Sequence, residues 1–362
     1  MPNDQVKGRM YFRPYLFPKK PGKAWQFAAT SLYFDQMEII EWLPNQNIRR
    51  QAVNIADCLQ DPRQKDLALP LQRQLQQLTL PRYFAGLDCS NPLLMGIINI
   101  TPDSFYDGGR YNNYQAAVDH AVSLKQAGAD ILDVGGESTR PGATPVEPAL
   151  EMERVIPVVQ ELANRGILVS IDTRHHQVME SAISHGAKIV NDVSALTFEA
   201  HSIDVICRHP DISVILMHMQ GQPATMQQQP FYNQVTLEVF DYLKKRLEKC
   251  LQAGISKDRL SIDPGIGFGK TLVHDIQLFQ ELSLFHGLGV PIVLGGSRKK
   301  MIGKLSLDAP VEKRLGGSIA ISLQALNQGV QILRVHDVAE TCQAYKIWQA
   351  VTVNSGNHIL DR

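Results

Sequence analysis

The chain has 362 residues, 44% of them hydrophobic, and its 36 basic residues equal its 36 acidic ones. That is length enough for one large domain or two ordinary ones around a sizeable core, and a neutral chain lends no support to a nucleic-acid or polybasic membrane surface. Five scattered cysteines with no CxxC pair argue against a disulfide framework or a zinc site and fit a reducing, cytoplasmic setting. MPNDQVKGRM has no apolar h-region, and no window nears the roughly 20 apolar residues of a membrane span.

The first 85 residues follow their own pattern. YFRPYLF (11–17), WQFAATSLYF (25–34) and QMEIIEWL (36–43) are aromatic-rich and read as antiparallel strands. IRRQAVNIADCLQ (48–60) and PLQRQLQQL (70–78) read as helices, the second starting at Pro70. No chemical motif falls here. Residues 1–85 are therefore expected to form a small accessory domain, and 86–362 a larger one.

From residue 92 a regular alternation begins. Short apolar runs lie at 93–100, 131–134, 167–172, 188–193, 213–218, 259–263, 291–296 and 331–336. Each is almost continuously apolar, as a strand buried on both faces should be. Helical patterns separate them at 115–126, 146–165, 177–185, 234–253, 274–285, 311–327 and 337–351. Strand and helix in alternation give parallel βαβ units, and eight units predict an α/β fold, the (β/α)8 TIM barrel. An open doubly wound sheet is the alternative, weakened by the lack of GxGxxG after the first strand.

In such a barrel chemistry sits at the carboxyl ends of the strands. Those ends carry Asn99, the Glu137-Ser138-Thr139-Arg140 run, Asp172, Asn191 with Asp192, His218, Asp263, the Ser297-Arg298-Lys299 run, and Arg334 with His336. Singly, each reads as a helix cap or a satisfied core polar group. Eight strands out of eight delivering polar groups to one rim imply a polar ligand, because uncompensated buried charge is expensive. Arg140, Arg298, Lys299, Arg334 and His336 suit an anion such as a phosphate. Asp172, Asn191 and Asp263 suit the amino and N–H edges of a flat heterocycle. Three loops rich in Gly, Pro and Asp, at 101–114, 136–148 and 295–304, read as lids. The stretch IDPGIGFGK (262–270) spends three glycines on one turn, as a tight loop or a close approach to ligand would require. His175, His176, His201 and His209 read as surface residues, and 220–229 as a surface loop.

The order and spacing of MGIINITPDSFYDGG (95–109), GADILDVGGESTRPGA (128–143), SIDT (170–173), VNDVSA (190–195), LMHMQGQPATM (216–226), DPGIGFGK (263–270), GGSRKKMIG (295–303) and RVHD (334–337) resemble the dihydropteroate synthases. The likeness covers about residues 85–351. It implies a (β/α)8 barrel that joins 6-hydroxymethyl-7,8-dihydropterin pyrophosphate to p-aminobenzoate for folate synthesis, a transferase inhibited by sulfonamides. Its substrates are small molecules, with no nucleic-acid or membrane partner, and the family's homodimer is expected. By the same resemblance Asp172, Asn191, Met217, Asp263, Lys299 and Arg334 would bind the pterin. Phe105, Thr139, Pro141, Phe268 and Ser297 would line the p-aminobenzoate pocket. Thr139, Arg140, Arg334 and His336 would hold pyrophosphate, and Asn99 would ligate Mg²⁺. Asp172, Arg140, Lys299, Arg334 and His336 would carry catalysis. Ile266 stands where the family usually has Phe, and the first 80-odd residues have no counterpart in most monofunctional relatives. Rival readings are a pterin-dependent methyltransferase, a Schiff-base aldolase through Lys299, and a non-catalytic pterin-binding subunit.

Overall fold

The structure is a computed structural model that describes residues 8–353 apart from 19, 21, 101–108, 139–141 and 143. The eight apolar runs form β1 (Leu93–Asn99), β2 (Ile131–Gly135), β3 (Val169–Asp172), β4 (Ile189–Asp192), β5 (Ser213–Met217), β6 (Leu260–Asp263), β7 (Val293–Leu294) and β8 (Ile332–Val335). They make one parallel sheet in the order β6-β5-β4-β3-β2-β1-β8-β7. A parallel bridge between Ile262 and Ile292 brings β6 back to the start of β7. The Ile262 N–H donates to the Pro291 carbonyl at 3.0 Å and closes the cylinder. This is the TIM barrel, with helices outside, among them Pro148–Asn164, Val235–Gln252 and Leu315–Asn327.

The strands are buried on both faces, which explains why they read as unbroken apolar runs. Outward side chains meet the helices in one core, while inward ones at the barrel's lower end form a separate floor of Leu93, Met95, Ile131, Ile189, Ile215, Val293 and Ile332. Phe84 plugs that floor from the hairpin Tyr83–Phe84/Leu87–Asp88 and has no exposed surface. Phe84→Ala is expected to cost about 3–5 kcal/mol, the usual range for a fully buried ring. Urea melting would read it, and a loss under about 1 kcal/mol would mean that neighbours fill the gap.

The N-terminal region departs from expectation in three places. Ile48–Asn54 is a strand, not a helix, paired antiparallel with Gln36–Trp42, whose other edge pairs with Arg9–Pro14. Only Ile55–Gln60 of that stretch is helical. IRRQAVN is an exposed edge strand with charged side chains, so it lacks the apolar alternation that marks a half-buried one. The stretch 25–34 is a short hairpin between Trp25–Gln26 and Tyr33–Phe34. The second helix runs over Lys65–Thr79, so Pro70 lies inside it and removes the bond to the Asp66 carbonyl.

The N-terminal elements share their core with the barrel. Phe12, Phe27, Phe34 and Met37 join the barrel's main apolar cluster. Tyr11 and Ile40 pack on Leu237 and Leu284. Polar links reinforce this: Tyr11 Oη donates to Asp241 at 2.9 Å, Ser283 Oγ to the Pro14 carbonyl at 2.9 Å, and Arg50 pairs with Glu281 at 2.6 Å. Arg82 donates to the carbonyls of His286 and Val290, both at 3.0 Å. The boundary expected after residue 85 falls inside the plugging hairpin.

Candidate active site

Parallel register sets the rim level. Asn99 is paired with Gly135, Gly135 with Asp172, Asp172 with Asn191, and Met217 with Asp263. Asn99, Asp172 and Asp263 thus end their strands and Asn191 stands one residue before the end of β4, level with Asp172, with Met217 beside Asp263.

Arg334, on β8, joins the cluster from across the barrel. Its Nη2 donates to Asp172 Oδ2 at 2.6 Å and its Nε to Asp133 Oδ2 at 2.6 Å. Asn191 Nδ2 donates to the same Asp133 oxygen at 3.0 Å. Burial pushes the Asp172 carboxyl up to about 7; the Arg334 guanidinium opposes the rise, and Asp133, Asp192 and Glu137 add to it. Against the cost of burial, Asp133, Asp172 and Asp263 hold Arg334 firmly in its charged form. Asp192 faces the other way. It caps the next loop, accepting from the Ser194 and Leu196 backbone N–H groups at 2.7 and 2.8 Å.

On the opposite wall, burial raises Asp263, while the Gly265 N–H at 2.7 Å and the nearby Lys299 pull it down. Burial lowers Lys299 to about 8, with Asp263 resisting. Its Nζ sits 4.0 Å from the centre of the Phe268 ring, a cation–π contact. Ser297 Oγ lies 3.1 Å from His336 Nδ1 and accepts the His336 backbone N–H at 3.3 Å. Burial, then the neighbouring Arg334 and Arg298, lowers His336 to about 3, so its ring is neutral. Arg298 has turned away to form a paired contact with Asp337, through its Nε at 3.0 Å and its Nη2, and does not serve the rim.

The glycine turn after β6 accounts for its backbone group by group. Gly265 N–H goes to Asp263, Gly267 N–H to Asp275, and Phe268 N–H to the Gly265 carbonyl. The Gly267 carbonyl accepts from Gln227 and the Gly269 carbonyl from Tyr232. Lys270, buried beneath, donates to the Gly265 and Phe268 carbonyls at 2.8 and 3.0 Å and reaches His218 Nδ1 at 2.9 Å. Burial lowers Lys270 to about 7 and drives His218 well below its ordinary value. Gly265 has φ +70°, and a Cβ there would overlap the His218 carbonyl oxygen. The loop after β5 is what comes close to Gly265 and Gly269, through His218 and Gln220, whereas Gly267 faces the Lys299 side chain.

Phe105, Thr139, Arg140 and Pro141 lie outside the described residues, as does most of the expected lid at 101–114. The expected lid at 295–304 is shorter, since Lys300–Leu305 is helical. His175 is buried against Glu199 and Phe198, not at the surface. Among the described residues no cluster of three or more His, Cys, Asp or Glu is placed to hold a metal. Asp133, Lys270 and Arg174 went unremarked in the sequence; Arg174 forms a buried bidentate pair, at 2.8 and 2.9 Å, with the expected rim residue Glu137. For Asp133 a signal was present: a carboxylate inside the apolar run ILDV, buried on both faces, needs a reason.

The model of the family described as "Pterin binding enzyme" matches residues 95–336. The chain is 47% identical over 276 residues to the dihydropteroate synthase of Neisseria meningitidis serogroup C, covering 75% of this chain and 96% of that one. The chain belongs to the dihydropteroate synthase family of pterin-binding enzymes. Solved dihydropteroate synthases from Xanthomonas albilineans superpose on the barrel. One with 4-aminobenzoic acid gives a TM-score of 0.70 at 44% identity, covering 75% of this chain and 97% of that one. Another, in complex with 7,8-dihydropteroate, gives 0.68 at 41% identity, covering 74% and 96%. The uncovered quarter of the chain corresponds in length to the N-terminal elements. Among the described residues no helix is long and apolar enough to cross a membrane.

Proposed function

We infer that the chain condenses 6-hydroxymethyl-7,8-dihydropterin pyrophosphate with p-aminobenzoate, releasing pyrophosphate and forming 7,8-dihydropteroate. The observation that carries the reading is Arg334, one guanidinium tied to Asp172 and Asp133 at the rim of a family barrel. In this reading Asp263 accepts from the amino edge of the pterin and Lys299 donates to its carbonyl side. Asn191 and Asp172 take the dihydropyrazine edge, Met217 packs against the ring, and Arg334 stacks on its face.

The bond between the pterin methylene and the pyrophosphate oxygen breaks first, and its electron pair leaves with the oxygen. The cation left behind spreads into the ring, where the buried Asp172 carboxylate stabilises it. Arg334 and His336 receive the leaving anion. With the Ser297 hydroxyl donating to Nδ1, His336 keeps its proton on Nε2 and offers it to a phosphate oxygen as a neutral donor. The arylamine nitrogen of p-aminobenzoate, held between Phe268 and Ser297, then attacks the methylene and loses a proton. Thr139, Arg140, Pro141 and Phe105 complete the anion and p-aminobenzoate sites by the family's pattern. The p-aminobenzoate site is also where sulfonamides would compete.

Asn99 fits the expected Mg²⁺ as a single hard oxygen donor, because Mg²⁺ takes few protein ligands and completes its shell with water and substrate phosphates. When bound, the ion would neutralise charge on the pyrophosphate. The five cysteines are unpaired, which supports a cytoplasmic setting. A homodimer is the family's arrangement and part of this reading.

The deciding assay is pyrophosphate release from the purified chain given both substrates and Mg²⁺. Turnover that depends on p-aminobenzoate is expected; pterin binding without turnover would overturn the catalytic reading and leave a binding subunit. The pH profile gives a second check. Only the ionised Asp172 can stabilise the cation, and its carboxyl ionises near 7, so kcat/KM should climb as pH rises to about 7 and level above it. Asp172→Asn should be slow and lack that limb. A limb that persists unchanged in the variant belongs to another group, such as the substrate phosphate.

A further inference from the structure

Resting on the pterin-site reading above, we infer that Asp133 is a positioning residue for the reaction: it fixes the plane of the Arg334 guanidinium and the orientation of the Asn191 amide without itself touching substrate. Asp133 lies on β2, two residues below the rim position Gly135 and on the same inward face. It is fully buried. Its Oδ2 takes both Arg334 Nε, at 2.6 Å, and Asn191 Nδ2, at 3.0 Å. Its Oδ1 has no protein partner among the described residues. Among the described residues, every hydrogen bond that the carboxylate accepts therefore comes from a residue assigned to the pterin.

Two consequences follow from the chemistry of the groups. A carboxylate oxygen facing a carbonyl oxygen would repel it, so Asn191 must turn its NH₂ toward Asp133. Its carbonyl oxygen is then the atom left to meet a ring N–H. Asp133 thereby decides that Asn191 presents an acceptor. For Arg334, one anchored nitrogen would leave the guanidinium free to swing about that bond. Asp133 on Nε and Asp172 on Nη2 anchor two edges and fix the plane. A group that stacks on a flat ring must hold its plane before the ring arrives.

The test is calorimetric titration with 6-hydroxymethyl-7,8-dihydropterin on the full chain, Asp133→Asn, Asn191→Ala and the double variant, each checked by urea melting. Asp133→Asn is expected to weaken binding at least tenfold in the wild-type background. Its further effect on Asn191→Ala should be at least threefold smaller, since the amide it orients is gone. Equal losses in the two backgrounds, as a purely structural residue would give, overturn the assignment. So does unchanged affinity in folded Asp133→Asn. Should that variant not fold, Asp133→Ser replaces it, and failure of both to fold makes Asp133 a residue of the fold alone and overturns the assignment. A wild-type chain that binds no pterin overturns the pterin-site reading itself. Wild-type binding with an unmoved Asp133→Asn overturns only the role of Asp133.

Discussion

Arg334→Met is expected to lower kcat by at least about a hundredfold, the loss typical of one preorganised charge-stabilising donor. The substitution keeps bulk and removes the guanidinium. Two effects then add. The leaving pyrophosphate loses a cation, and Asp172 and Asp133 lose the charge that neutralises them inside the barrel. Without Arg334, the one neighbour that lowers Asp172 most, its carboxyl rises further and is protonated at neutral pH, so it no longer stabilises the pterin cation. Arg334→Lys should rescue little, because an ammonium is a point donor and cannot span two carboxylates on separate strands. Steady-state kinetics with both substrates varied would measure this. A methionine variant within tenfold of wild type would remove Arg334 from the chemistry.

Gly265→Ala is expected to be nearly as damaging, by a different route. At φ +70° alanine is strained by about 1 kcal/mol or more, and its Cβ would overlap the His218 carbonyl, a backbone atom that cannot swing aside. The turn must shift. Gly265 N–H holds Asp263 and its carbonyl holds Lys270, so the shift moves a pterin-binding carboxylate and a buried cation together. Stability should fall by at least about 3 kcal/mol, and pterin affinity should fall with it. Gly316→Ala is the control: no atom lies near its Cβ position in the helix Leu315–Asn327. Alanine there should be neutral or stabilise by up to about 1 kcal/mol. Paired urea melts would compare the two. If both substitutions prove neutral, the glycine turn has slack that its contacts do not show.

The barrel was legible because its strands are buried on both faces, and such strands advertise themselves as apolar runs spaced by helices. The rim residues were legible for a related reason: a charge at the end of an apolar run stands out. Asp133 stood inside a run rather than at its end; the run ILDV showed that a buried carboxylate needed a partner, but those partners come from β4 and β8, and nothing local named them. Lys270 closes a motif that was read for its glycines, yet its ammonium organises the turn they make. For the glycines the sequence left a tight loop and a close approach to ligand side by side, since the loop after β5 that meets Gly265 and Gly269 lies about 50 residues earlier in the chain. The strand Ile48–Asn54 failed for want of a pattern, since pairing with Gln36–Trp42 fixes it more than its side chains do.

The links between the N-terminal elements and the barrel also bear on how the chain is made. Tyr11 bonds a residue 230 positions later, and Pro14 one 269 positions later. During synthesis the first strands emerge long before Leu237, Asp241, Ser283 and Leu284 exist to receive them. The faces that Tyr11 and Ile40 turn to Leu237 and Leu284 must wait through most of translation for that partner. At roughly 5–20 residues per second, that wait lasts on the order of ten seconds to a minute. Contacts this distant in sequence also slow the final docking. The N-terminal strands can therefore dock only after the barrel residues that receive them have been made.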